Sequence, residues 1–359
     1  MNHGAKVKAE QLIQLLQHQF QRNRQMMQKG RAGTPVCIWG AHGIGKTQIA
    51  RDFAKRNNWK CISLAPAQFE EMGDLLGMPQ IEESRTVFRK PAWAPEEFGP
   101  GILLLDDFNR ADDRIIRGLM PLLQDGRTVS WGLPPDWHIV LTANPDNGDY
   151  SVTPLDASLL TRMLHVELTF DVKSWADWAT AYRIPSLLID FVLLYPDLID
   201  HERTTARSLV QFFDSLQGLD QTKKQKTLIP VLAKGFLGED AARQFVAYLK
   251  STQEHLPTVG VVLETNDFES AVAKPINNFL NKSTLQLDVF SVFWERIYRT
   301  LKNRPDDLTP GELINLEKLL KLAQLPEDLR KYWVMQLLDL DQKGINQWIA
   351  QGDWAKYLL

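Results

Sequence analysis

The first half of the chain alternates between two patterns of apolar residues. Compact apolar runs, typical of buried strands, occur at PVCIW (35–39), KCISLA (60–65), GILLLDDF (101–108) and HIVLTANP (138–145). Segments with apolar residues at helical spacing lie between them, at KTQIARDFAKRN (46–57) and at DRIIRGLMPLLQDG (113–126), where Gly126 is expected to end the helix. Strands that alternate with helices predict an α/β fold with a parallel sheet flanked by helices.

After about residue 170 only the helical pattern remains. Amphipathic helices are predicted at SWADWATAY (174–182), IPSLLIDFVLLY (184–195), TARSLVQFFDSL (205–216), TLIPVLAKGFL (227–237), GELINLEKLLKLAQL (311–325) and LPEDLRKYWVMQLLDL (325–340). The polar segment at the N-terminus, residues 1–29, also suits a helix. The sequence therefore predicts an α/β core followed by an all-α region.

Length, net charge and cysteine content limit the classes of protein to which the chain could belong. With 359 residues and a net charge of −3, the chain is long enough for two or three domains and carries no global field that attracts nucleic acid or an anionic membrane. No apolar run approaches the ~20 residues that span a bilayer, and the N-terminal segment does not have the pattern of a signal peptide. Cys37 and Cys61, the two cysteines, are expected to be buried thiols in strands of a reducing compartment. We expect a cytoplasmic protein.

The stretch GAHGIGKT fits the phosphate-loop pattern G-x-x-x-x-G-K-[ST] in full, and it lies between a predicted strand and a predicted helix. Glycines let such a loop curl so that its backbone N–H groups face phosphate oxygens, and the following helix adds its free N-terminal amides. The lysine reaches the β- and γ-phosphates, and the threonine hydroxyl binds Mg²⁺. The expected nucleotide-binding residues are Gly40, Ala41, His42, Gly43, Ile44, Gly45, Lys46, Thr47 and Gln48. A plain strand-to-helix turn is the alternative, and His42 is more often a spacer in this loop than a catalytic group.

Two adjacent acids follow the third apolar run. Asp106 and Asp107 stand at the end of a predicted buried strand, where side chains alternate in direction. One carboxylate, Asp106, is suited to hold Mg²⁺ together with Thr47, and the other, Asp107, to orient the attacking water. A solvated turn or a helix cap is the alternative explanation for such a pair.

These motifs together resemble the AAA+ ATPases, and LDDFNRA (105–111) resembles the signature of their MoxR branch. In this resemblance Asn144 matches the sensor 1 asparagine, and Arg162, at the end of PLDASLLTRM (154–163), matches the arginine finger. Arg207 in TTARSL (204–209) matches sensor 2 of the helical lid. Residues 68–95 resemble an insert of this clade, in which a hairpin interrupts a helix. Here GMPQI and RTVFR would be the arms, turning at EESR.

The resemblance implies a protein that hydrolyses ATP with Mg²⁺. It also implies a homo-oligomeric ring, expected to be a hexamer, in which Arg162 reaches the neighbouring subunit's nucleotide. MoxR-type ATPases act as chaperones on partners with a von Willebrand factor A domain, so a protein client of that kind is expected. The resemblance covers about residues 30–215. The expected domains are an N-terminal helix (1–29), the core (30–170), a helical lid (171–262) and a C-terminal helical region (263–359) that could bind a partner.

Other readings of the same residues stay open. Asn144 could simply end a strand, Arg162 and Arg207 could be surface charges, and Arg110 could be a helix-start cation or face a neighbouring subunit's nucleotide. The family usually has glutamate where this chain has Asp107, so a scaffold that binds ATP and barely hydrolyses it is one alternative function. A nucleic-acid translocase or restriction-type subunit is another, although the acidic balance disfavours it, and a small-molecule kinase is a weaker one. The hairpin could contact the client or serve packing and assembly.

Overall fold

The apolar runs of the first half form neighbouring strands of one sheet. The computed structural model describes residues 4–146, 152–199, 203–217, 219, 227–252, 256–280, 286–304, 306–340 and 342–354, so residues 1–3 of the predicted N-terminal helix lie outside it. Its strands are β1 (Ala5–Val7), β2 (Val36–Trp39), β3 (Lys60–Leu64), β4 (Met78–Glu82), β5 (Arg85–Arg89), β6 (Gly101–Leu105), β7 (Trp137–Ala143) and β8 (Leu164–Leu168).

The main sheet has six parallel strands in the order β1-β8-β2-β7-β6-β3. Its register aligns Trp39 with Ala143, and Leu105 with Leu141 on the other side of β7. Because parallel strands end at the same edge, the residues that follow β2, β6 and β7 meet there. The predicted parallel α/β core is confirmed, and this edge brings the phosphate loop close to the acid pair.

Alternate residues of the central strands face opposite sides of the sheet. Val36 and Ile38 pack with α1 (Ala9–Met27) and α2 (Lys46–Arg56), while Cys37 and Trp39 pack with α4 (Asp113–Asp125). The short helices α3 (Met72–Leu76) and α5 (Ala157–Leu160) also contribute to the second face. Burial on both faces explains why β2 and β6 read as continuous apolar runs rather than as alternating ones.

Two features at the edges of the main sheet were not predicted from the sequence. Cys61 is exposed, not buried, because β3 is the edge strand of the sheet. The segment Ala5–Val7, where the sequence predicted no strand, pairs with Val166–Leu168 and forms the opposite edge. Gly126 ends α4 as predicted, with a left-handed φ of 68°.

The insert contains the predicted hairpin. β4 and β5 pair antiparallel and turn at Glu83 and Ser84, and this hairpin does not join the main sheet. Pro79 lies opposite Phe88 and Ile81 opposite Thr86, so these four residues share one uncharged face. Ile81 is 80% exposed and Phe88 38% exposed. An apolar hairpin face of this kind is left open to solvent within the protomer.

The base of the insert is fixed by side chains that bind the last carbonyls of α3. The Trp93 indole donates to the Asp74 carbonyl at 3.0 Å, and the Trp131 indole donates to the Leu75 carbonyl at 3.0 Å. The Ser130 hydroxyl donates to the Leu76 carbonyl. These donors satisfy carbonyls that a helix end leaves without partners, and they tie α3 to the loop after α4.

The chain divides into two units: residues up to 174 with Thr205–Arg207, and Trp175–Thr204 with Ser208 onward. The helices that follow the sheet are α6 (Val172–Ala181), α7 (Ser186–Leu194), α8 (Ala206–Ser215), α9 (Leu228–Leu237), α10 (Glu239–Thr252), α11 (Val259–Glu264), α12 (Lys274–Leu280), α13 (Gln286–Lys302), α14 (Pro310–Leu320), α15 (Glu327–Leu338) and α16 (Lys343–Gln351). They confirm the predicted helical second half.

The second unit has its own apolar core. Residues from α11 to the segment after α16 form one buried cluster, in which the rings of Trp294 and Trp333 stack with centroids 4.4 Å apart. Phe245 of α10 makes edge contacts with Phe191 of α7 and Phe212 of α8. Among all the helices described here, none has the length and apolar character needed to cross a membrane.

Candidate nucleotide-binding site

The loop between β2 and α2 has the backbone of a cradle. Gly45 precedes α2 with φ 101°, a left-handed conformation that a side chain would strain, and a Cβ at this position would point into open space. The loop therefore leaves room directly in front of the helix's free N-terminal amides. Open space beside Gly45, at the N-terminus of a helix, suits a bound phosphate group.

Lys46 is buried in this loop, with 5% of its surface exposed. Its ammonium donates hydrogen bonds to the carbonyls of Gly40 at 2.7 Å and Ala41 at 2.8 Å, and to Asn144 Oδ1 at 3.0 Å. Burial lowers the pKa of Lys46 to about 8, against the opposing effect of Asp107 and Asp106. Hydrogen-bond acceptors that follow β2 and β7 therefore hold the Lys46 ammonium beside the phosphate loop.

Thr47 and Asp106 form the expected pair for a magnesium ion. The Thr47 hydroxyl donates to Asp106 Oδ1 at 2.5 Å, and the Thr142 hydroxyl donates to the same oxygen at 2.7 Å. Within the described part of the chain, no group of three or more His, Cys, Asp or Glu side chains could hold a metal ion alone. One hydroxyl and one carboxylate beside a phosphate cradle suit Mg²⁺, which keeps waters and takes substrate phosphates as ligands.

Asp107 sits in a backbone conformation that is uncommon for a residue with a side chain, with φ 48°. Asp107 N–H donates to Thr142 Oγ1 at 2.8 Å, and its Oδ1 accepts a hydrogen bond from Asn144 Nδ2 at 3.0 Å. The guanidinium of Arg110 lies nearby, with its Nε 3.7 Å from Asp107 Oδ2. The second acid is therefore turned out of the strand direction and bound to the predicted sensor residue.

Asn144 links the two halves of the site. Its amide oxygen accepts from Lys46 and its amide nitrogen donates to Asp107, so one side chain joins the phosphate loop to the acid pair. Asn144 is 1% exposed. Lys46, Thr47, Asp106, Asp107 and Asn144, predicted from separate motifs, thus belong to one hydrogen-bonded group.

Arg207 lies near this group. Its backbone N–H donates to the Gly43 carbonyl at 3.1 Å, and its exposed side chain is one of the positive charges that lower the pKa of Lys46. A Cβ on Gly43 would come within 2.7 Å of Thr205 Oγ1, so the segment Thr205–Arg207 packs directly on the loop.

Arg162 is bonded elsewhere. Its Nε donates to Gln124 Oε1 of α4 at 2.9 Å, and its guanidinium also contacts the Ser158 carbonyl of α5.

His42 and Gln48 of the phosphate-loop region are exposed, and the Gln48 side chain donates to Asp52 along α2 at 2.7 Å. Ile44 lies over Gly40, where a Cβ would come within 2.6 Å of its Cδ1.

Sequence reasoning missed Thr142 and Asn109. Thr142 bridges the Asp106 carboxylate and the Asp107 N–H, and Asn109 binds the backbone of Asn144. The available signal for Thr142 was a single hydroxyl in an otherwise apolar strand, two residues before Asn144. Asn109 offered a weaker signal, because asparagine is common in the turn that follows a strand.

Residues 35–163 match the family model described as the AAA domain of the dynein-related subfamily. These residues form an AAA+ domain. The matched stretch contains the phosphate loop, the acid pair, Asn144 and Arg162, and it ends before Arg207.

Solved structures similar to the chain include the RuvB Holliday junction branch migration motor of Thermotoga maritima, and NtrX of Brucella abortus in complex with ATP. The RuvB structure has 16% identity and a TM-score of 0.40, covering 74% of this chain and 85% of RuvB. The NtrX structure has 15% identity and a TM-score of 0.38, covering 88% of this chain and 68% of NtrX. No curated protein matches the chain.

Proposed function

We propose that this AAA+ protein hydrolyses ATP with Mg²⁺ and uses the reaction to remodel a protein partner. The observation that carries the proposal is the connected group Lys46–Asn144–Asp107, which lies beside the Thr47–Asp106 pair at one edge of the sheet. Hydrolysis of ATP needs a cation at the phosphates, a metal ligand and a group that orients water. This edge of the sheet supplies Lys46 for the first task, Thr47 and Asp106 for the second, and Asp107 with Asn144 for the third.

Each side chain has a defined task in the proposed reaction. Lys46 binds the β- and γ-phosphate oxygens, exchanging its carbonyl acceptors for charged ones. Thr47 and Asp106 hold Mg²⁺, which when bound neutralises charge on the triphosphate. Asp107 and Asn144 orient a water molecule for in-line attack, and Asn144 fixes the distance between that water and Lys46.

Phosphate release in the presence of Mg²⁺ tests this proposal. Asp107→Asn keeps the shape of the side chain and removes the carboxylate, so turnover should fall by at least about a hundredfold if Asp107 orients the water. Asp113→Asn is the matched control, because Asp113 is an exposed carboxylate that pairs with Arg117 on α4. Equal turnover in both variants would contradict the proposed role of Asp107.

Assembly into a ring, expected to be a hexamer, is the second part of the proposal. Arg162 supports it, because its guanidinium is bonded to Gln124 and Ser158 and takes no part in the group around Lys46. By the resemblance to the AAA+ ATPases, Arg162 would act on the nucleotide of a neighbouring subunit, and an arginine finger contributes about a thousandfold or more to turnover.

The proposed client is a protein with a von Willebrand factor A domain, as the resemblance of LDDFNRA to the MoxR signature implies. The open hairpin face around Ile81 and Phe88 is the surface proposed to touch it. Turnover measured with a purified partner of that class tests this step, with duplex DNA as the comparison. Stimulation by DNA with a steep salt dependence, and none by the protein, would favour a nucleic-acid motor instead.

A nucleotide-gated scaffold is the second candidate function, and Asp107 is the observation that favours it. Its carboxylate is one methylene shorter than the usual glutamate, and it starts from a left-handed backbone. Both features change where the water lies, and a displacement of about 1 Å can cost about a hundredfold in rate. A chain that binds ATP tightly with turnover near zero would establish this alternative.

A further inference from the structure

Asn109 makes contacts that neither the phosphate-loop motif nor the acid pair explains. It lies in the short 3-10 turn Phe108–Arg110 that follows Asp107, and only 2% of its surface is exposed. A buried amide side chain must find hydrogen-bond partners, because burying it without them is costly. Its partners therefore show what the side chain does.

Both ends of the Asn109 amide bind the backbone of Asn144. Asn109 Nδ2 donates to the Asn144 carbonyl at 2.8 Å, and Asn109 Oδ1 accepts from Asn144 N–H at 3.1 Å. This is the pattern by which a neighbouring strand would bind the same residue. Since β6 ends at Leu105, the Asn109 side chain continues the pairing of β7 beyond the point where its partner strand stops.

From this geometry we propose that Asn109 is a positioning residue, which fixes the backbone of Asn144 so that the Asn144 side chain bridges Lys46 and Asp107. The inference rests on the proposed hydrolysis function, since it concerns the rate of that reaction. The two backbone bonds leave Asn144 little freedom, so its amide meets Lys46 Nζ at 3.0 Å and Asp107 Oδ1 at 3.0 Å. The Asn109 backbone carbonyl also accepts from Thr153 N–H at 2.7 Å, which fixes the turn itself.

The chain contains a matched control at Asn23. Asn23 Nδ2 donates to the Thr34 carbonyl at 2.9 Å, and Asn23 Oδ1 accepts from Thr34 N–H at 2.9 Å. Asn23 is 1% exposed, so it is buried to a similar extent as Asn109. Its amide also makes the same pair of hydrogen bonds to the backbone of one residue. It binds Thr34 rather than a residue of the group around Lys46, so the two asparagines differ in what they position.

The test compares Asn109→Asp with Asn23→Asp in the full chain. Each substitution keeps the shape of the side chain, removes the donor and places a carboxylate oxygen against a backbone carbonyl. We expect similar losses of thermal stability, while kcat falls about tenfold to a hundredfold for Asn109→Asp and less than about twofold for Asn23→Asp. The KM for ATP should stay within about threefold in both, because the phosphate loop is untouched.

Equal kcat values in the two variants would overturn the inference, and so would a loss at Asn109 that appears in KM alone. If Asn109→Asp does not fold, Asn109→Ala replaces it, with Asn23→Ala as its control and the same expected difference in kcat.

Crystal structures of the wild type and of Asn109→Asp test the positioning role of Asn109 separately from the proposed hydrolysis of ATP. A displaced Asn144 amide in the variant supports the positioning role even if the wild type does not hydrolyse ATP. An Asn144 amide that keeps its distances to Lys46 and Asp107 overturns that role, whatever the turnover.

Discussion

The Lys46 ammonium donates a 3.0 Å hydrogen bond to the amide oxygen of Asn144, a residue 98 positions away in the sequence. This bond joins the loop after β2 to the end of β7, and the same amide continues to Asp107. The proposed phosphate-binding residue Lys46 and the proposed water-orienting residue Asp107 are therefore connected through one side chain.

The affinity for ATP should depend on pH through Lys46. Burial lowers the pKa of Lys46 to about 8 in the free protein, and only the protonated ammonium attracts phosphate. The affinity should therefore be greatest below pH 8 and fall by about tenfold for each pH unit above it, up to the pH at which the bound state also loses the proton. Calorimetric titrations with an ATP analogue at several pH values measure this dependence.

Lys46→Arg provides the control for the pH experiment. The guanidinium stays protonated throughout this range, so the weaker affinity of that variant should not change between about pH 7 and about pH 9. A wild-type affinity that is equally flat would contradict the assignment of the pH dependence to Lys46.

Gly43→Ala should loosen the packing of Thr205–Arg207 on the phosphate loop. Gly43 has φ 71°, and an added Cβ would come within 2.7 Å of Thr205 Oγ1. Gly126 has a similar φ of 68°, but an added Cβ would meet nothing within 4 Å. Both substitutions carry the left-handed penalty of about 1–2 kcal/mol, and only Gly43→Ala adds a collision.

Thermal unfolding and ATP affinity measure the difference between these glycine variants. We expect Gly43→Ala to lose more stability than Gly126→Ala and to bind ATP more weakly, because the collision lies at the loop. If the two variants matched in both measurements, the contact between Gly43 and Thr205 would have no energetic importance.

Much of the core could be predicted because its signals are local. The phosphate loop fixes its own spacing, and β2 and β6 read as buried strands because both of their faces are covered. The exposure of Cys61 could not be predicted, because it depends on which strand ends the sheet. The sequence of β3 does not show that β3 lacks a neighbouring strand on its outer side.

The candidate site, too, could be predicted only as far as local sequence signals and family resemblance reach. Asp106 and Asp107 could be proposed from their place after an apolar run, and Asn144 from the resemblance to the AAA+ ATPases, but the roles of Thr142 and Asn109 could not be proposed. Their contacts require the register between β6 and β7, which pairs Leu105 with Leu141 and sets the strand ends side by side. This register joins two strands that lie far apart in the sequence, so it could not be predicted from either strand alone.

Asp107→Glu should preserve or raise the rate of hydrolysis. The added methylene restores the reach of the carboxylate that the related family usually has at this position, and the water lies closer to the orienting oxygen. Phosphate release at saturating ATP measures the effect, with Asp113→Glu on the surface of α4 as the control. A complete loss of turnover with ATP binding intact would count against a water-orienting role.

Arg162→Ala should leave ATP binding within about threefold of the wild type and reduce turnover by about a thousandfold, because the proposed finger acts on a neighbouring subunit. Arg117→Ala is the control, since Arg117 is an exposed arginine on α4 that pairs with Asp113. Mixing the Arg162 variant with a Lys46→Ala variant should restore part of the activity. In such a mixed ring, an intact site can receive an intact arginine.

Size measurements must first establish that the two variants assemble together. Mixed rings that contain both chains and show no activity at any ratio would argue against action in trans. Particles that stay monomeric with nucleotide and Mg²⁺ would argue against the ring itself.

The most direct test of the account is a calorimetric titration of the wild type and of Lys46→Ala with an ATP analogue and Mg²⁺. Lys55→Ala, an exposed lysine on the same helix, is the control. We expect one nucleotide to bind per chain in the wild type and in the control, and no measurable binding in Lys46→Ala. Unchanged affinity in Lys46→Ala would show that the buried ammonium beside Asn144 does not hold a nucleotide.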